Sequence, residues 1–258
     1  MGSETVCFVA GASRGLGLAL VNELATRYPD AVVYAGVRDP ANSPALHTLA
    51  SRLPESKVHI TKWVAADKQV NGAVAELIRE KHGHVDIVIA NAAISKSSYA
   101  PVSEMPIEDF KEMLEVNTTG VLVLFQSLYP LLKASTHLTG AKFVPISSGA
   151  GSIDGSFISG KVLAGYGASK AAMNYLCRKM HFENEWLVCF PINPGAVVTD
   201  MFEEFKAADT VGELSKNLDR ISKTPEDTAR LLVDVVNDAK REPQGGEFLN
   251  YNGGKNPW

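Results

Sequence analysis

Tyr166 and Lys170 stand four residues apart in Tyr166-Gly167-Ala168-Ser169-Lys170, at the start of a long helical stretch. On a helix, residues i and i+4 share one face, so the phenol and the ammonium would be neighbours. A free phenol has a pKa of about 10 and exchanges protons poorly at neutral pH. A nearby positive charge stabilises the phenolate and lowers that pKa. The pair therefore has the chemistry of a proton exchanger, although a core tyrosine beside a solvated lysine would show the same spacing.

Other polar residues predicted near this pair favour its interpretation as a proton exchanger. Ser147 and Ser148 follow an apolar run that predicts the fifth strand of a sheet, and Asn117 interrupts the predicted helix before that strand. In an open α/β sheet, ligands bind where parallel strands end at their carboxyl termini. The serines are therefore expected at the same edge of the sheet as a bound ligand.

A glycine-rich turn marks the other part of the site, in Ala10-Gly11-Ala12-Ser13-Arg14-Gly15-Leu16-Gly17. It follows the first predicted strand and opens the first predicted helix. Glycines let the backbone turn tightly and approach a pyrophosphate, which rests against N–H groups at the helix N-terminus. The spacing G-x-x-x-G-x-G differs from the general G-x-G-x-x-G fingerprint. Its position after the first strand predicts a dinucleotide site rather than an ordinary tight turn.

The choice of dinucleotide depends on residues about 20 positions after the glycines. Val37-Arg38-Asp39 stands there, with the arginine first. Arg38 and Arg14 together could clamp a 2′-phosphate, which predicts NADP(H). In the alternative, Arg38 is a solvated loop charge and Asp39 binds the 2′-hydroxyl of NAD.

Short β-branched runs alternate with amphipathic helices along the whole chain, which is typical of a doubly wound α/β fold. The strands are predicted at Val6–Val9, Val32–Tyr34, Val58–Val64, Ile87–Ile89, Lys142–Ile146, Leu187–Pro191 and Phe248–Leu249. The helices are predicted at Leu16–Tyr28, Pro44–Arg52, Val70–His82, Ile107–Lys133, Tyr166–Trp186 and Pro225–Lys240. Continuous apolar strands suit a parallel sheet buried on both faces. Pro145 conflicts with this pattern, because proline inside a central strand removes a ladder hydrogen bond.

Composition narrows the class of protein. The 258 residues, of which 45% are hydrophobic and 21% charged, suit one globular domain spanning 1–258. A net charge of −4 argues against nucleic acid as a partner, and an integral membrane segment is not expected. Three scattered cysteines suit neither a disulfide framework nor a metal site, and His82 and His84 are expected at the surface. We expect a cytoplasmic protein.

In this order, the motifs resemble those of the short-chain dehydrogenase/reductase family over essentially the whole chain. The resemblance is carried by Gly11-x-x-x-Gly15-x-Gly17, Asn91-Ala92-Ala93, Asn117, Ser148, Tyr166-x-x-x-Lys170 and Pro194-Gly195-x-Val197-x-Thr199. Within the family, three segments resemble fungal norsolorinic-acid-ketoreductase-like carbonyl reductases: Ala90–Ala93, His181–Trp186 and Pro257-Trp258. The resemblance implies a single-domain Rossmann fold and hydride transfer from NADPH to a ketone or aldehyde.

The resemblance also implies the catalytic roles. Tyr166 would be the general acid in carbonyl reduction and the base in alcohol oxidation. Lys170 would bind the nicotinamide ribose and lower the pKa of Tyr166. Ser148 would hold the substrate carbonyl oxygen, and Asn117 would position a water that relays protons to Lys170.

The resemblance also implies which residues bind the cofactor, and it implies no metal site. Asn91 would line the cofactor, and Val197 and Thr199 would fix the nicotinamide carboxamide. The full set implied for NADP(H) is Gly11, Ser13, Arg14, Gly15, Leu16, Gly17, Arg38, Asp67, Asn91, Tyr166, Lys170, Pro194, Gly195, Val197 and Thr199.

Two departures from the family leave alternatives open. Ala65 stands where an aspartate commonly contacts adenine, so nearby Asp67 is either a substitute contact or the N-cap of the next helix. The interval from Ser148 to Tyr166 is longer than usual, which leaves Ser147 or Ser152 as alternative carbonyl-binding serines.

The substrate-binding part is expected at about 200–225. Met201–Lys206 is either a mobile lid or a plain amphipathic surface helix. An apolar pocket for the carbonyl substrate is indicated by Phe157, Leu163, Phe202 and Phe205. The residues after Thr199 are too few for the substrate domain of a sugar-nucleotide epimerase. A non-catalytic dinucleotide-binding regulator of the same fold is the remaining alternative, and a dimer or tetramer is implied through the helices bearing Asn117 and Tyr166.

Overall fold

Eight strands and eight helices form the described part of the molecule, a computed structural model that describes residues 4–155, 158, 162–209 and 219–258. The strands are β1 (Thr5–Ala10), β2 (Ala31–Val37), β3 (Val58–Lys62), β4 (Ile87–Ala90), β5 (Ala141–Pro145), β6 (Leu187–Cys189), β7 (Ile192–Asn193) and β8 (Leu249–Asn250). The helices are α1 (Gly15–Arg27), α2 (Pro44–Ala50), α3 (Lys68–His82), α4 (Ile107–Leu114), α5 (Gly120–Lys133), α6 (Ala164–Glu183), α7 (Asp200–Ala208) and α8 (Pro225–Asp238).

The first six strands form one parallel sheet in the order β3-β2-β1-β4-β5-β6, and β7 pairs with β8 in a small second sheet. The order reverses between β1 and β4, which makes their carboxyl ends the switch point where such sheets bind ligands. The doubly wound Rossmann fold predicted from the sequence is confirmed.

Helices cover both faces of the sheet because successive strand residues point to opposite sides. In β1, Cys7 and Val9 pack into the cluster under α1, α2 and α8, whereas Val6 and Phe8 pack under α3, α5 and α6. Both clusters are fully buried, so the strands read as continuous apolar runs rather than as alternating ones.

The long helix predicted from Ile107 to Lys133 is broken by a π-helical turn at Glu115–Thr119, between α4 and α5. The prediction that Asn117 interrupts this helix is confirmed. A π turn displaces one residue from the regular helical ladder, and such turns occur often at functional sites. Here it directs the Asn117 side chain into the protein interior, where it is fully buried.

Pro145 ends β5 without breaking the sheet. Ile146 donates its N–H to the Ala90 carbonyl on the β4 side at 3.0 Å, so the Pro145 nitrogen faces the β6 side. The pairing of β5 with β6 has already ended at Phe143 and Cys189. The missing N–H of the proline therefore removes no hydrogen bond from the ladder.

Candidate active site

The glycine-rich turn joins β1 to α1 and is shaped by close backbone approaches. Gly11 has a φ of +73°, and a β-carbon there would lie 2.8 Å from Ala92 Cα. A β-carbon at Gly17 would lie 2.1 Å from the Gly11 carbonyl oxygen and 2.6 Å from Asn91 Nδ2. Side chains at these positions would fill the turn, so glycine is required both for its conformation and for the packing of α1 on β1.

The N-terminus of α1 is suited to an anion. Arg14, the N-cap residue, is extended and makes no side-chain cap, and the first turn of α1 contains no acidic residue. The N–H groups of a helix N-terminus carry partial positive charge and satisfy phosphate oxygens when no side chain does. The turn and the helix end together fit the pyrophosphate of a dinucleotide.

Arg14 has an ion-pair partner, whereas Arg38 has none among the described residues. The guanidinium of Arg14 forms an ion pair with Asp200, the first residue of α7, and both side chains are exposed. Arg38 is exposed after β2 and has no hydrogen bond or ion pair within the described part of the chain. Asp39 Oδ1 accepts the N–H groups of Ala41 and Asn42 at 3.1 and 3.4 Å, which commits this carboxylate to a turn.

Two further residues of the implied cofactor set serve the local backbone. Asn91 follows β4, and its Nδ2 donates to the Gly11 carbonyl at 3.0 Å, linking the ends of β4 and β1. Asp67 is the N-cap of α3, and its Oδ1 accepts the Val70 N–H at 3.0 Å. The N-cap interpretation of Asp67 is thus confirmed.

The segment from Pro194 to Thr199 returns to the glycine-rich turn. Gly195 has a φ of +75°, and a β-carbon there would lie 2.9 Å from the Tyr251 ring. Thr199 caps α7 by accepting the Phe202 N–H at 3.4 Å, and its methyl group would be 3.2 Å from a β-carbon at Gly15. Val197 is buried. Because Thr199 packs against Gly15, the segment lies beside the glycine-rich turn.

Tyr166, Lys170 and Ser148 are brought together by α6 and the turn after β5. The Ser148 hydroxyl lies close enough to the Tyr166 phenol to lower its pKa, and Lys170 Nζ lies 5.7 Å from the centroid of the Tyr166 ring. Lys170 is 2% exposed, and its Nζ donates to the Ile146 carbonyl at 2.7 Å. A hydroxyl, a phenol and an amine therefore converge on one point beside the carboxyl end of β5.

The pKa values follow from burial. Burial raises the pKa of Tyr166 to about 12, against the opposing effect of the nearby Ser148 hydroxyl. Burial lowers the pKa of Lys170 to about 7, so its ammonium carries only part of a charge at neutral pH. In the chain alone, the phenol pKa therefore shifts upward, opposite to the lowering by Lys170 that we expected.

Asn117 connects this group to the loop after β4. Its Nδ2 donates to the Ile94 carbonyl at 2.9 Å and to Ser169 Oγ at 3.0 Å, and its Oδ1 accepts the Ile94 N–H at 2.9 Å. Both amide hydrogens are thus used. A water at Asn117 would have to be held by an oxygen, either the second lone pair of Oδ1 or the main-chain carbonyl.

The alternative serines are placed away from the phenol contact. Ser147 donates to Asn174 Oδ1 at 2.6 Å and is buried. Ser152 is also buried, and its hydroxyl has no partner among the described residues. Ser148 is the serine that contacts Tyr166, while it also accepts the Ala150 N–H at 3.2 Å.

A cleft of about 380 Å³ lies beside this site, between the loop after β4 and α7. It is lined by Ser95, Ser97, Ser98, Tyr99, Ala100, Met201, Glu204 and Phe205. Of the predicted apolar pocket, Phe205 is in this lining, Phe202 is buried elsewhere, and Phe157 lies outside the described residues. Sequence reasoning missed Tyr99 and its serines, although their position directly after the Asn91 motif could have indicated them.

The contacts of His82 lie within the fold and not in the candidate active site. His82, expected at the surface, is mostly buried, with Nδ1 on Glu4 at 2.6 Å and Nε2 on the Tyr34 hydroxyl at 2.9 Å. The sequence missed this because the partners lie on other elements. Among the described residues, no His, Cys, Asp and Glu side chains are grouped to hold a metal ion. No described helix combines the length and apolarity needed to cross a membrane.

Comparisons with known proteins agree with this fold. The family model described as short chain dehydrogenase matches residues 5–210. A norsolorinic acid ketoreductase of Dothistroma septosporum is 36% identical, with 99% of this chain and 93% of that protein covered. A short chain dehydrogenase, gsfK, of Penicillium aethiopicum is 32% identical, with 97% of this chain and 98% of that protein covered.

Solved structures show the same relation. The NADPH-bound carbonyl reductase from chicken fatty liver superimposes with a TM-score of 0.83 and 27% identity, over 100% of both chains. The chain belongs to the short-chain dehydrogenase/reductase family, an oxidoreductase family of nicotinamide-dinucleotide-binding proteins. The resemblance to norsolorinic acid ketoreductases predicted from the sequence is confirmed.

Proposed function

We propose that this protein is an NADP(H)-dependent carbonyl reductase, with Tyr166 as the proton donor to a ketone or aldehyde. The observation that carries the proposal is the convergence of the Ser148 hydroxyl, the Tyr166 phenol and the buried Lys170 amine at the end of β5. A protein that only binds a dinucleotide needs no such arrangement of serine, tyrosine and lysine.

The roles of the chain's own residues follow from this arrangement. The Ser148 hydroxyl lies near the Tyr166 phenol, so both can be directed at one carbonyl oxygen. A phenol with a raised pKa is fully protonated at neutral pH and can donate its proton as negative charge develops on that oxygen. Lys170, whose Nζ donates to the Ile146 carbonyl near the Tyr166 ring, would contact the nicotinamide ribose. The bound NADPH supplies the hydride.

The cofactor residues support NADP(H) over NAD(H). Arg38 is exposed and unpaired within the described residues, while Asp39 is committed to its turn, so the positive side chain is the one available to a ribose substituent. Arg14 could join it only by leaving Asp200. The relative from chicken fatty liver is described as NADPH bound. We propose that the residues named from the sequence bind the cofactor. Asp67 is the exception, since its side chain caps α3.

The test is an NADPH oxidation assay over a panel of ketones and aldehydes, with Tyr166→Phe as the control. We expect turnover in the wild type, a loss of about 10³-fold or more in kcat for Tyr166→Phe, and unchanged NADPH affinity measured by fluorescence. A better kcat/KM with NADH would overturn the cofactor assignment. NADPH binding without Tyr166-dependent turnover would favour the non-catalytic regulator.

We also propose that the protein assembles as a dimer or tetramer through α5 and α6. Tyr175 and Phe182 on the outer face of α6 are 67% and 60% exposed, an unusual exposure for such large apolar side chains. Size-exclusion chromatography with light scattering should give a mass of two or four chains. A monomer mass would reject the assembly.

A further inference from the structure

The cleft beside the candidate active site has two walls that are tied to different parts of that site. One wall is the loop after β4, where the Ser98 carbonyl accepts the Leu163 N–H at 2.6 Å, three residues before Tyr166. The other wall is α7, which begins next to Thr199 over the glycine-rich turn. A molecule in the cleft would therefore lie between the proton donor and the cofactor-binding end of the sheet.

Tyr99 and Phe205 join the two walls. Their rings stack with centroids 5.1 Å apart and an angle of 21° between planes. Both side chains are half-buried and line the cleft, so each presents apolar ring surface to whatever occupies it. Flat ring surfaces favour contact with another flat ring over contact with a flexible chain.

The hydroxyl of Tyr99 differs from the other hydroxyls of the cleft. Ser95 and Ser98 hydrogen-bond each other at 3.0 Å, and Ser97 donates to Asp109. The Tyr99 oxygen is buried yet has no hydrogen-bond partner among the described residues. A buried polar atom without a partner is costly, and a ligand that supplies the partner is favoured by that amount. Burial, together with the negative charge of Asp209, raises the pKa of Tyr99.

We propose that Tyr99 and Phe205 are a specificity-determining pair, which selects ring-bearing carbonyl compounds that carry a second oxygen acceptor away from the reacting carbonyl. The substrate ring packs against the two stacked rings, and the Tyr99 hydroxyl donates to the distal oxygen. This inference rests on the proposed reductase function and adds the shape and polarity of its substrate. Neither residue touches the reacting carbonyl, so the pair acts on substrate binding rather than on chemistry.

Three methyl ketones test the pair: 2-acetylnaphthalene, its 6-methoxy derivative and 2-octanone. For Tyr99→Phe, we expect KM for the methoxy ketone to rise about five- to tenfold, as for the loss of one hydrogen bond. KM for the other two ketones and every kcat should stay within about twofold. Phe205→Leu should raise KM for both naphthyl ketones but not for 2-octanone. Tyr28→Phe, which removes a hydroxyl that donates to Asn237 between α1 and α8, is the matched control and should change neither KM nor kcat for any ketone.

Binding measurements keep the test independent of turnover. Calorimetry of the same ketones with the wild type and Tyr99→Phe, both loaded with NADP⁺, which has no hydride to transfer to a ketone, should show the same loss for the methoxy ketone alone. Equal effects on all three ketones, or no effect in both assays, would overturn the pair. Failure of the wild type to reduce any ketone, with the Tyr99-dependent binding difference intact, would instead overturn the proposed reaction and leave the pair standing.

Discussion

The side-chain amide of Asn117 holds both backbone polar groups of Ile94, accepting its N–H and donating to its carbonyl at 2.9 Å each. The two residues are 23 positions apart. This contact joins the π turn before α5 to the loop that leads from β4 to the cleft. Asn117 is thus the residue through which the loop, the π turn and α6 keep one arrangement.

Replacing Asn117 with alanine should therefore weaken both the fold and the activity. Three hydrogen bonds disappear, and the Ile94 groups are left unpaired, which should lower the free energy of unfolding by about 2–4 kcal/mol. We also expect kcat/KM to fall by about 10²-fold or more, since misplacement of about 1 Å is enough for that. Urea unfolding and steady-state rates measure the two effects.

Thr118→Val, which removes only the bond to the Ser169 carbonyl, should lower the free energy of unfolding by about 1 kcal/mol and leave NADPH affinity intact. Equal behaviour of the two variants would refute this role.

Gly17 and Gly72 offer a matched pair of glycine-to-alanine substitutions in helices. A β-carbon at Gly17 would collide with the Gly11 carbonyl, whereas at the exposed Gly72 in α3 it would meet no atom within 4 Å. Gly17→Ala should unfold the turn or abolish NADPH binding. Gly72→Ala should raise stability by about 0.5–1 kcal/mol, because alanine loses less backbone entropy. Thermal unfolding and NADPH fluorescence titration compare them, and a Gly17→Ala protein with normal NADPH affinity would contradict the cradle.

Arg38 should distinguish the two dinucleotides. Arg38→Ala should raise Kd for NADPH about tenfold, the worth of one charge-assisted phosphate contact, and change Kd for NADH less than twofold. Arg52→Ala, at another exposed arginine, is the control. Loss of affinity for both dinucleotides alike would show that Arg38 does not contact the 2′-phosphate.

The ion pair between Arg14 and Asp200 competes with any use of Arg14 on a phosphate. Asp200→Asn removes the competing carboxylate, so NADPH should bind about two- to fivefold more tightly, with no gain for NADH, because exposed ion pairs are individually weak. Calorimetry at low salt gives the largest contrast, since salt screens exposed charges. Weaker NADPH binding in this variant would mean that Asp200 positions Arg14 instead.

The raised pKa of Tyr166 can be measured directly in the protein without added dinucleotide. The phenol is protonated below its pKa of about 12, so it should contribute no phenolate absorbance at 295 nm up to about pH 10. The difference between wild-type and Tyr166→Phe titrations isolates this residue from the other tyrosines. A difference signal with a midpoint below pH 10 would show that Lys170, and not burial, has the larger effect on the pKa of Tyr166.

Lys142 in β5 is fully buried and donates to the Val236 and Asn237 carbonyls at 2.6 and 2.9 Å, at the end of α8. Burial lowers its pKa to about 8, below that of a free lysine. Between pH 8 and the unfolded pKa of about 10.4, the unfolded chain binds the extra proton, so this group makes stability rise with pH.

Lys142→Met should remove that rise and lower the free energy of unfolding at pH 7 by about 1–3 kcal/mol, because two helix-end carbonyls lose their donor. Urea unfolding of both proteins from pH 7 to 10 gives the comparison. Parallel curves for the two proteins would exclude Lys142 as the titrating group.

The order of elements and the identity of the polar residues at the strand ends could be predicted from the sequence, because both follow from local patterns. Parallel strands buried on two faces leave apolar runs, and the glycines of the first turn are required by its backbone. Element ends were less predictable: the strand expected at Leu187–Pro191 ends as β6 at Cys189, and the residues after it, Ile192 and Asn193, form β7 and pair with β8.

The sequence by itself determined the family and the sheet, and it predicted Ser148, Tyr166 and Lys170 as site residues. Only the tertiary structure decided which groups these residues meet. The pairing of Arg14 with Asp200, the stack of Tyr99 on Phe205 and the upward pKa shift of Tyr166 all depend on contacts between distant segments. Burial and partnership are properties of the packed chain, and no local spacing encodes them.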